Sequence, residues 1–138
     1  WYNNGNCGIQ KLNNKERKIR AFYKKVLRLC NGEKAISEGA FFDLMYVNYH
    51  NLNPNKQYLY LRHYENETLL IAVNFDSQDA TVYADIPQHA FDFLKIDSGT
   101  YFMKELISGK QKTVEFSSNA KFELHIPAHN GVVWKIVK

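Results

Sequence analysis

Cysteine is scarce in this chain, with two among 138 residues. So few thiols identify neither a redox compartment nor a metal site. Cys7 sits in the Asn/Gly-rich stretch Asn3-Asn4-Gly5-Asn6-Cys7-Gly8, and Cys30 completes the apolar stripe of a helix-patterned segment. A disulfide between the two and a small buried thiol at Cys30 are both open readings. Long apolar runs are missing as well. None approaches the ~18 residues that a membrane-spanning helix needs, and residues 1–12 lack the apolar core of a signal peptide. Proline is limited to three residues, Pro54, Pro87 and Pro127, each placed where a strand-like pattern breaks.

Catalytic constellations are missing too. Asp76 and Asp79 lie in a turn-forming stretch, whereas a glycosidase holds two carboxylates at a defined separation across a cleft. His125 and His129 are four apart, but Pro127 between them excludes the helix that would align two metal ligands. Ser117-Ser118 has no Gly-rich elbow, and no Gly-rich phosphate loop occurs. Asn66-Glu67-Thr68 is formally a glycosylation sequon, a pattern short enough to arise by chance. No catalytic residue, metal ligand or cofactor site follows from the residues.

Charge of one sign is scarce except in one place. The net charge is +4, yet nine of the 18 Lys and Arg fall between Lys11 and Lys34, where Glu16 and Glu33 are the only acids. From residue 35 onward acids outnumber bases, 12 to nine. The basic excess is the solvated back of one helix rather than a stripe along a groove, which argues against a nucleic-acid partner.

What is present is a globular composition, 45% hydrophobic and 14% aromatic. A chain of this length buries about two-thirds of its unfolded surface without staples. Asn13 with Glu16 reads as a capping box, Ile19, Phe22, Tyr23, Val26, Leu27 and Cys30 recur at helical spacing, and Gly32 ends the run. After Gly39 the period changes to two. Strands are expected at 41–49, 57–64, 68–75, 80–86, 90–96, 100–107, 113–116, 121–126 and 132–137. The third of these is apolar on both faces, with Leu69, Ile71 and Val73 on one and Leu70 and Ala72 on the other. It therefore needs cover on both sides. Nine short strands separated by turn signals indicate a mainly β protein, an antiparallel Greek-key β-sandwich preceded by one N-terminal α-helix.

A lone amphipathic helix needs a surface to lie on, and the chain begins at Trp1. The expectation is a piece of a larger protein. On the second strand Tyr58, Tyr60, Arg62 and Tyr64 share one face, which would be either a sugar-stacking platform or a surface packed under the helix or a neighbouring domain. Trp134, on the alternating last strand, reads as core.

In order along the chain, Ile19-Arg20-Ala21-Phe22-Tyr23, the entry Ala35-Ile36-Ser37-Glu38-Gly39, Tyr58-Leu59-Tyr60-Leu61-Arg62 and Leu69-Leu70-Ile71-Ala72-Val73-Asn74-Phe75 resemble the end of an alpha-amylase-family glycoside hydrolase. The resemblance covers about residues 15–87 and rests on the ordered set rather than on any one motif. It implies that residues 1–34 are an entry segment and the terminal helix of a missing catalytic barrel, and that 35–138 are a C-terminal β-sandwich. The implied function is non-catalytic packing against that barrel in a bacterial enzyme acting on α-glucans, with the helix stripe from Ile19 to Cys30 as the interdomain contact. The alternative is a carbohydrate-binding module gripping starch or maltooligosaccharides through the tyrosine face.

Overall fold

The computed structural model describes residues 8–138. Cys7 lies outside them, and with it the question of its pairing with Cys30. A single 3-10 turn (Ile9–Lys11) precedes helix α1 (Asn14–Gly32). The capping box forms as the sequence requires. Asn13 accepts the Glu16 backbone N–H at 3.0 Å, and the Glu16 carboxylate accepts that of Asn13 at 2.8 Å. A second, four-residue helix α2 (Lys34–Ser37) follows at once.

Eight strands follow in two antiparallel sheets: β1 (Ala40–Asp43), β2 (Gln57–Tyr64), β3 (Glu67–Asn74), β4 (Ala80–Asp85), β5 (Gly99–Glu105), β6 (Gln111–Phe116), β7 (Lys121–Ile126) and β8 (Asn130–Val137). The larger sheet has the order β1-β2-β3-β8-β5-β6, and β4 with β7 forms the smaller. The chain leaves the large sheet after β3, returns for β5 and β6, leaves again for β7, and comes back as β8 between β3 and β5. These are Greek-key connections. The β2–β3 hairpin turns on Glu65-Asn66, with Tyr64 paired to Glu67 and Glu65 at positive φ.

Alternation along the strands builds the core. Leu59 and Leu61 of β2, Leu70 and Ala72 of β3, Val82 and Ala84 of β4, Phe122, Leu124 and Ile126 of β7, and Trp134 and Ile136 of β8 meet between the sheets. Phe116 is fully buried at the centre, its ring 5.1–5.5 Å from those of Phe91, Tyr101 and Phe122. Trp134 is core, as its position in an alternating strand predicts.

Two expected strands are corrected. Residues 41–49 contain only the short β1 before the chain turns into helix α3 (Met45–Asn48). The Asp43 carboxylate accepts the Met45 N–H at 2.8 Å and starts the turn. Asn48 is fully buried, donates to the carbonyls of Leu44 and Asp85, and accepts the Asp85 N–H. That network ties α3 to β4 and overrides the strand preference of Tyr46, Val47 and Tyr49. Of residues 90–96, the first five fall in helix α4 (Gln88–Leu94), which buries Ala90, Phe91 and Leu94 at helical spacing and is capped by Lys95 in the left-handed region. Seven residues are too few for periodicity alone to separate the two patterns.

The outer face of β3 is covered by α2. Leu69 and Ile71 pack with Ala35, flanked by Ile36, Tyr60 and Tyr64. Lys135 on β8 holds this cover in place through Glu33 at 2.7 Å and Glu67 at 2.8 Å, while Glu67 also accepts the Ala35 N–H. Burial by itself lowers the Lys135 pKa, but the two carboxylates override it and hold it up. Gly39 lets the chain pass from α2 into β1, because a Cβ there would run into the carbonyl oxygens of Ala35 and His63.

Glu105 is the most deeply buried charged side chain, 3% exposed, and accepts N–H groups of Ile107 and Val133 at 3.0 Å and that of Ser108. Burial alone would raise its pKa, but these bonds hold it below the usual carboxylate value. Its stabilisation is therefore complete above the unfolded value of about 4.3 and is lost as pH falls through the depressed folded value. Glu105→Gln is expected to lower stability by roughly 1–3 kcal/mol near neutral pH. Urea denaturation should show the gap to wild type narrowing only as the pH falls through the depressed folded value, below the ordinary carboxylate range.

Candidate functional site

Helix α1 is amphipathic with its apolar side largely in solvent. Leu27 is 60% exposed and Tyr23 62%, Ile19 and Phe22 are exposed, and only Val26, Leu29 and Cys30 are half-buried. The helix lies over the outer face of the large sheet without closing on it. A cavity of about 690 Å³ separates Val26, Leu29 and Cys30 from Tyr58, Tyr60, Ile71 and Val73. A second space of about 390 Å³ runs from Phe22 to Phe75 and Val133. A polar tether crosses the gap, where the Lys25 Nζ donates to the Ile107 carbonyl. The cover of β3 thus comes from four residues of α2 rather than from the long helix.

The tyrosine face is one face of β2, as alternation requires, but its members have different duties. Arg62 donates to the carbonyls of Ala35 at 2.9 Å and Ile36 at 2.6 Å, binding the end of α2. Tyr64 lies beneath Lys34, whose Nζ is 5.5 Å from the ring centroid. Tyr60 is half-buried under the cavity, and burial pushes its hydroxyl pKa up. Its ring is 5.4 Å from Phe41 and 5.6 Å from Tyr58, inclined by 38° and 45°. Tyr58 is exposed at the rim. Tyr58, Tyr60 and Arg62 line the space under α1, and Tyr64 does not.

The acids and histidines set aside in the sequence do structural work. Asp76 pairs with Lys56 at 2.8 Å, Asp79 accepts the Ala128 N–H at 2.8 Å, and His125 lies 3.6 Å from Asp79. Among the described residues no group of three or more His, Cys, Asp or Glu is placed to hold a metal, and no helix is long and apolar enough to cross a membrane. Asn66 is exposed at the hairpin tip, while Thr68 is buried with its Oγ1 2.9 Å from the His63 Nδ1.

One group escaped sequence reasoning. Tyr46 on α3, His89 and Phe93 on α4, and Phe42 on β1 form a continuous aromatic cluster at the edge of the sandwich. Centroid separations are 5.7 Å for Tyr46–His89, 5.2 Å for Phe42–His89 and 5.9 Å for Phe42–Phe93. Its members are scattered along the chain, and Phe42, Tyr46 and Phe93 belong to the two segments whose pattern reads as strand. The one available signal was a density of aromatics without alternation.

No protein-family model matches the sequence, and no curated protein matches it. Solved structures do match. AmyP, solved in complex with maltose, superposes with a TM-score of 0.66 at 15% identity, over 91% of this chain and 22% of its own. An alpha-amylase from Geobacillus thermoleovorans, complexed with acarbose, gives 0.65 at 16% identity over 92% and 25%. A maltogenic alpha-amylase from Thermotoga neapolitana gives 0.63 at 15% over 93% and 27%. The chain spans about a quarter of the length of these enzymes. At such identities the likeness establishes the fold, which is that of a domain within alpha-amylases. The resemblance in the ordered sequence segments and the likeness in architecture agree.

The exposed stripe and the covered strand should respond oppositely to truncation. Leu27→Ala is expected to change stability by no more than about 0.5 kcal/mol, as at other exposed positions. Leu69→Ala, at a fully buried site under α2, should cost about 2–5 kcal/mol. Denaturant midpoints of the two variants check both.

Proposed function

We propose that this chain is the non-catalytic C-terminal β domain of an alpha-amylase-type glycoside hydrolase acting on α-glucans, carrying the last helix of the catalytic barrel. Its work is mechanical: it covers one side of the barrel and anchors that helix. The observation that carries this reading is the unfilled space between α1 and the sheet, bounded by Phe22, Val26, Leu29 and Cys30 on one side and by Tyr60, Val73 and Phe75, the last 67% exposed, on the other. Contiguous apolar surface of this kind marks an interaction site. The residues on it supply shape and apolar area rather than acid, base or nucleophile. Fold relatives about four times as long, among them an alpha-amylase, support a larger parent of that type.

The non-catalytic role is supported by what the carboxylates already do. Glu33 and Glu67 hold Lys135, Glu105 holds backbone amides, Asp76 holds Lys56, and Asp85 accepts from Asn51 at 2.9 Å. Glycoside hydrolysis needs two carboxylates free to flank a glycosidic bond. The sugar-binding alternative at Tyr58, Tyr60, Arg62 and Tyr64 is disfavoured, because that face opens toward α1 and Arg62 is bonded to α2.

The chain alone should release no reducing sugar from soluble starch, and the longer protein read from the same gene should do so. Hydrogen exchange of residues 14–32 is expected to slow in that longer protein relative to the isolated chain, because the stripe is then buried. Sugar release by the isolated chain, or equal exchange of α1 in both forms, would overturn the proposal.

A further inference from the structure

We infer that the side of α1 turned away from the sheet docks on an apolar surface edged by a row of carboxylates, carried by the part of the protein that covers this domain. That the surface belongs to the same protein rests on the function proposed above. Its chemistry rests on the helix alone.

Helix α1 presents two apolar sides. Phe22, Val26, Leu29 and Cys30 border the space over the sheet. Ile19, Tyr23 and Leu27 stand outside that lining and are exposed. They are four apart, so they form one row along the helix. One position on, Arg20, Lys24 and Arg28 repeat the spacing as a second exposed row. Successive members of each row are about 6 Å apart along the axis. Arg20 and Tyr23 are three apart, as are Lys24 and Leu27, which makes the rows neighbours. An apolar strip and a cationic strip thus share one surface.

The cations of that strip have no counter-charge at hand. Seven of the 19 residues of α1 are Lys or Arg, and the single acid, Glu16, is occupied in the capping box. Lys25 is bonded to the Ile107 carbonyl on the sheet side. Among the described residues Arg20, Lys24 and Arg28 make no ion pair. Like charges four apart on a helix repel. The row is therefore unfavourable in this chain by itself and favourable against negative charge.

The two rows together select the occupant. It must remove Ile19, Tyr23 and Leu27 from water and neutralise the row beside them at once. A second α1 would bring like-charged rows together. Nucleic acid would meet the cations and leave the apolar row wet. A helix lying in a membrane surface sinks a wide apolar face into the lipid. Here Phe22 and Val26 are turned to the sheet, which leaves a strip three residues long. A folded surface with an apolar centre and Asp or Glu along its edge matches both rows. Complementarity of this kind fixes register and excludes wrong partners.

Hydrogen exchange of residues 14–32 in the longer protein read from the same gene tests the inference. Wild type is compared with the triple variant Arg20→Gln, Lys24→Gln, Arg28→Gln. At about 0.05 M salt the α1 amides of the variant should exchange about tenfold faster, since three modest ion pairs are lost together. At about 1 M salt, where the screening length is about 3 Å, the difference should shrink. Wild-type α1 exchange should itself accelerate with salt while that of β7 does not, a readout that needs no variant. In the isolated 138-residue chain the triple variant should unfold in urea at the wild-type midpoint or above it, because only repulsion is removed. Equal protection of α1 in variant and wild type, or protection indifferent to salt, would overturn the inference and leave the functional reading standing. No protection of α1 in the longer protein would discard both. Without salt-sensitive protection there, two results for the isolated chain would also overturn it. Binding to phosphatidylserine vesicles that the triple variant abolishes would assign the rows to a membrane, and self-association that it abolishes would assign them to a second copy.

Discussion

Strand β3 sits inside the molecule with apolar side chains on both faces, and the rest of the structure follows from covering them. Toward the small sheet the cover is complete, because Leu70 and Ala72 meet side chains from β4 and β7 across the core. Toward the other side it is graded along the strand. Leu69 and Ile71 are buried under α2, Val73 is half-buried, and Phe75 stands in solvent. Four helical residues cannot cover eight strand residues, so cover fails where α2 stops. Desolvating apolar area is the main favourable term in folding and association alike. The end of β3 is thus left uncovered by the described fold.

That arrangement depends on a polar clamp. Lys135 bridges Glu33 at the α1–α2 junction and Glu67 on β3, and Arg62 binds the carbonyls at the end of α2. Charge-assisted hydrogen bonds from a half-buried lysine are stronger and more directional than surface ion pairs. They fix α2 over the sheet, while α1 is tethered to Ile107 through Lys25 and stands across a gap from the outer face. The long helix therefore contributes less to the sandwich than the short one. An element whose apolar stripe is unmatched by its own domain is suited to belong to two.

The edge strand β1 separates two surfaces of different chemistry. On one side Phe41 joins the tyrosines facing α1; on the other Phe42 joins His89 and Phe93. Period-two alternation makes that division unavoidable, since successive residues of a strand point to opposite faces. Apolar area facing a gap under a helix is suited to a folded partner.

The sequence by itself determined the elements whose information is local. Asn13 and Glu16 set the start of α1, Glu65-Asn66 set the hairpin, and the alternation of Phe122, Leu124 and Ile126 set β7 and its buried face. It also determined that β3 needs cover on both sides, and that Tyr58, Tyr60, Arg62 and Tyr64 share a face. Tertiary structure alone decided which element provides the cover. Ala35 lies under the sheet because Glu67 and Lys135, 32 and 100 positions further along, are brought to it. It also decided that residues 45–48 and 88–94 are helical, through a buried Asn48 bonded to β4 and through core contacts of Ala90, Phe91 and Leu94. Patterns of four to seven residues fit either period, and only distant packing partners distinguish them. The aromatic edge is invisible in one dimension for the same reason: its four rings come from three elements that meet only when the sheets close.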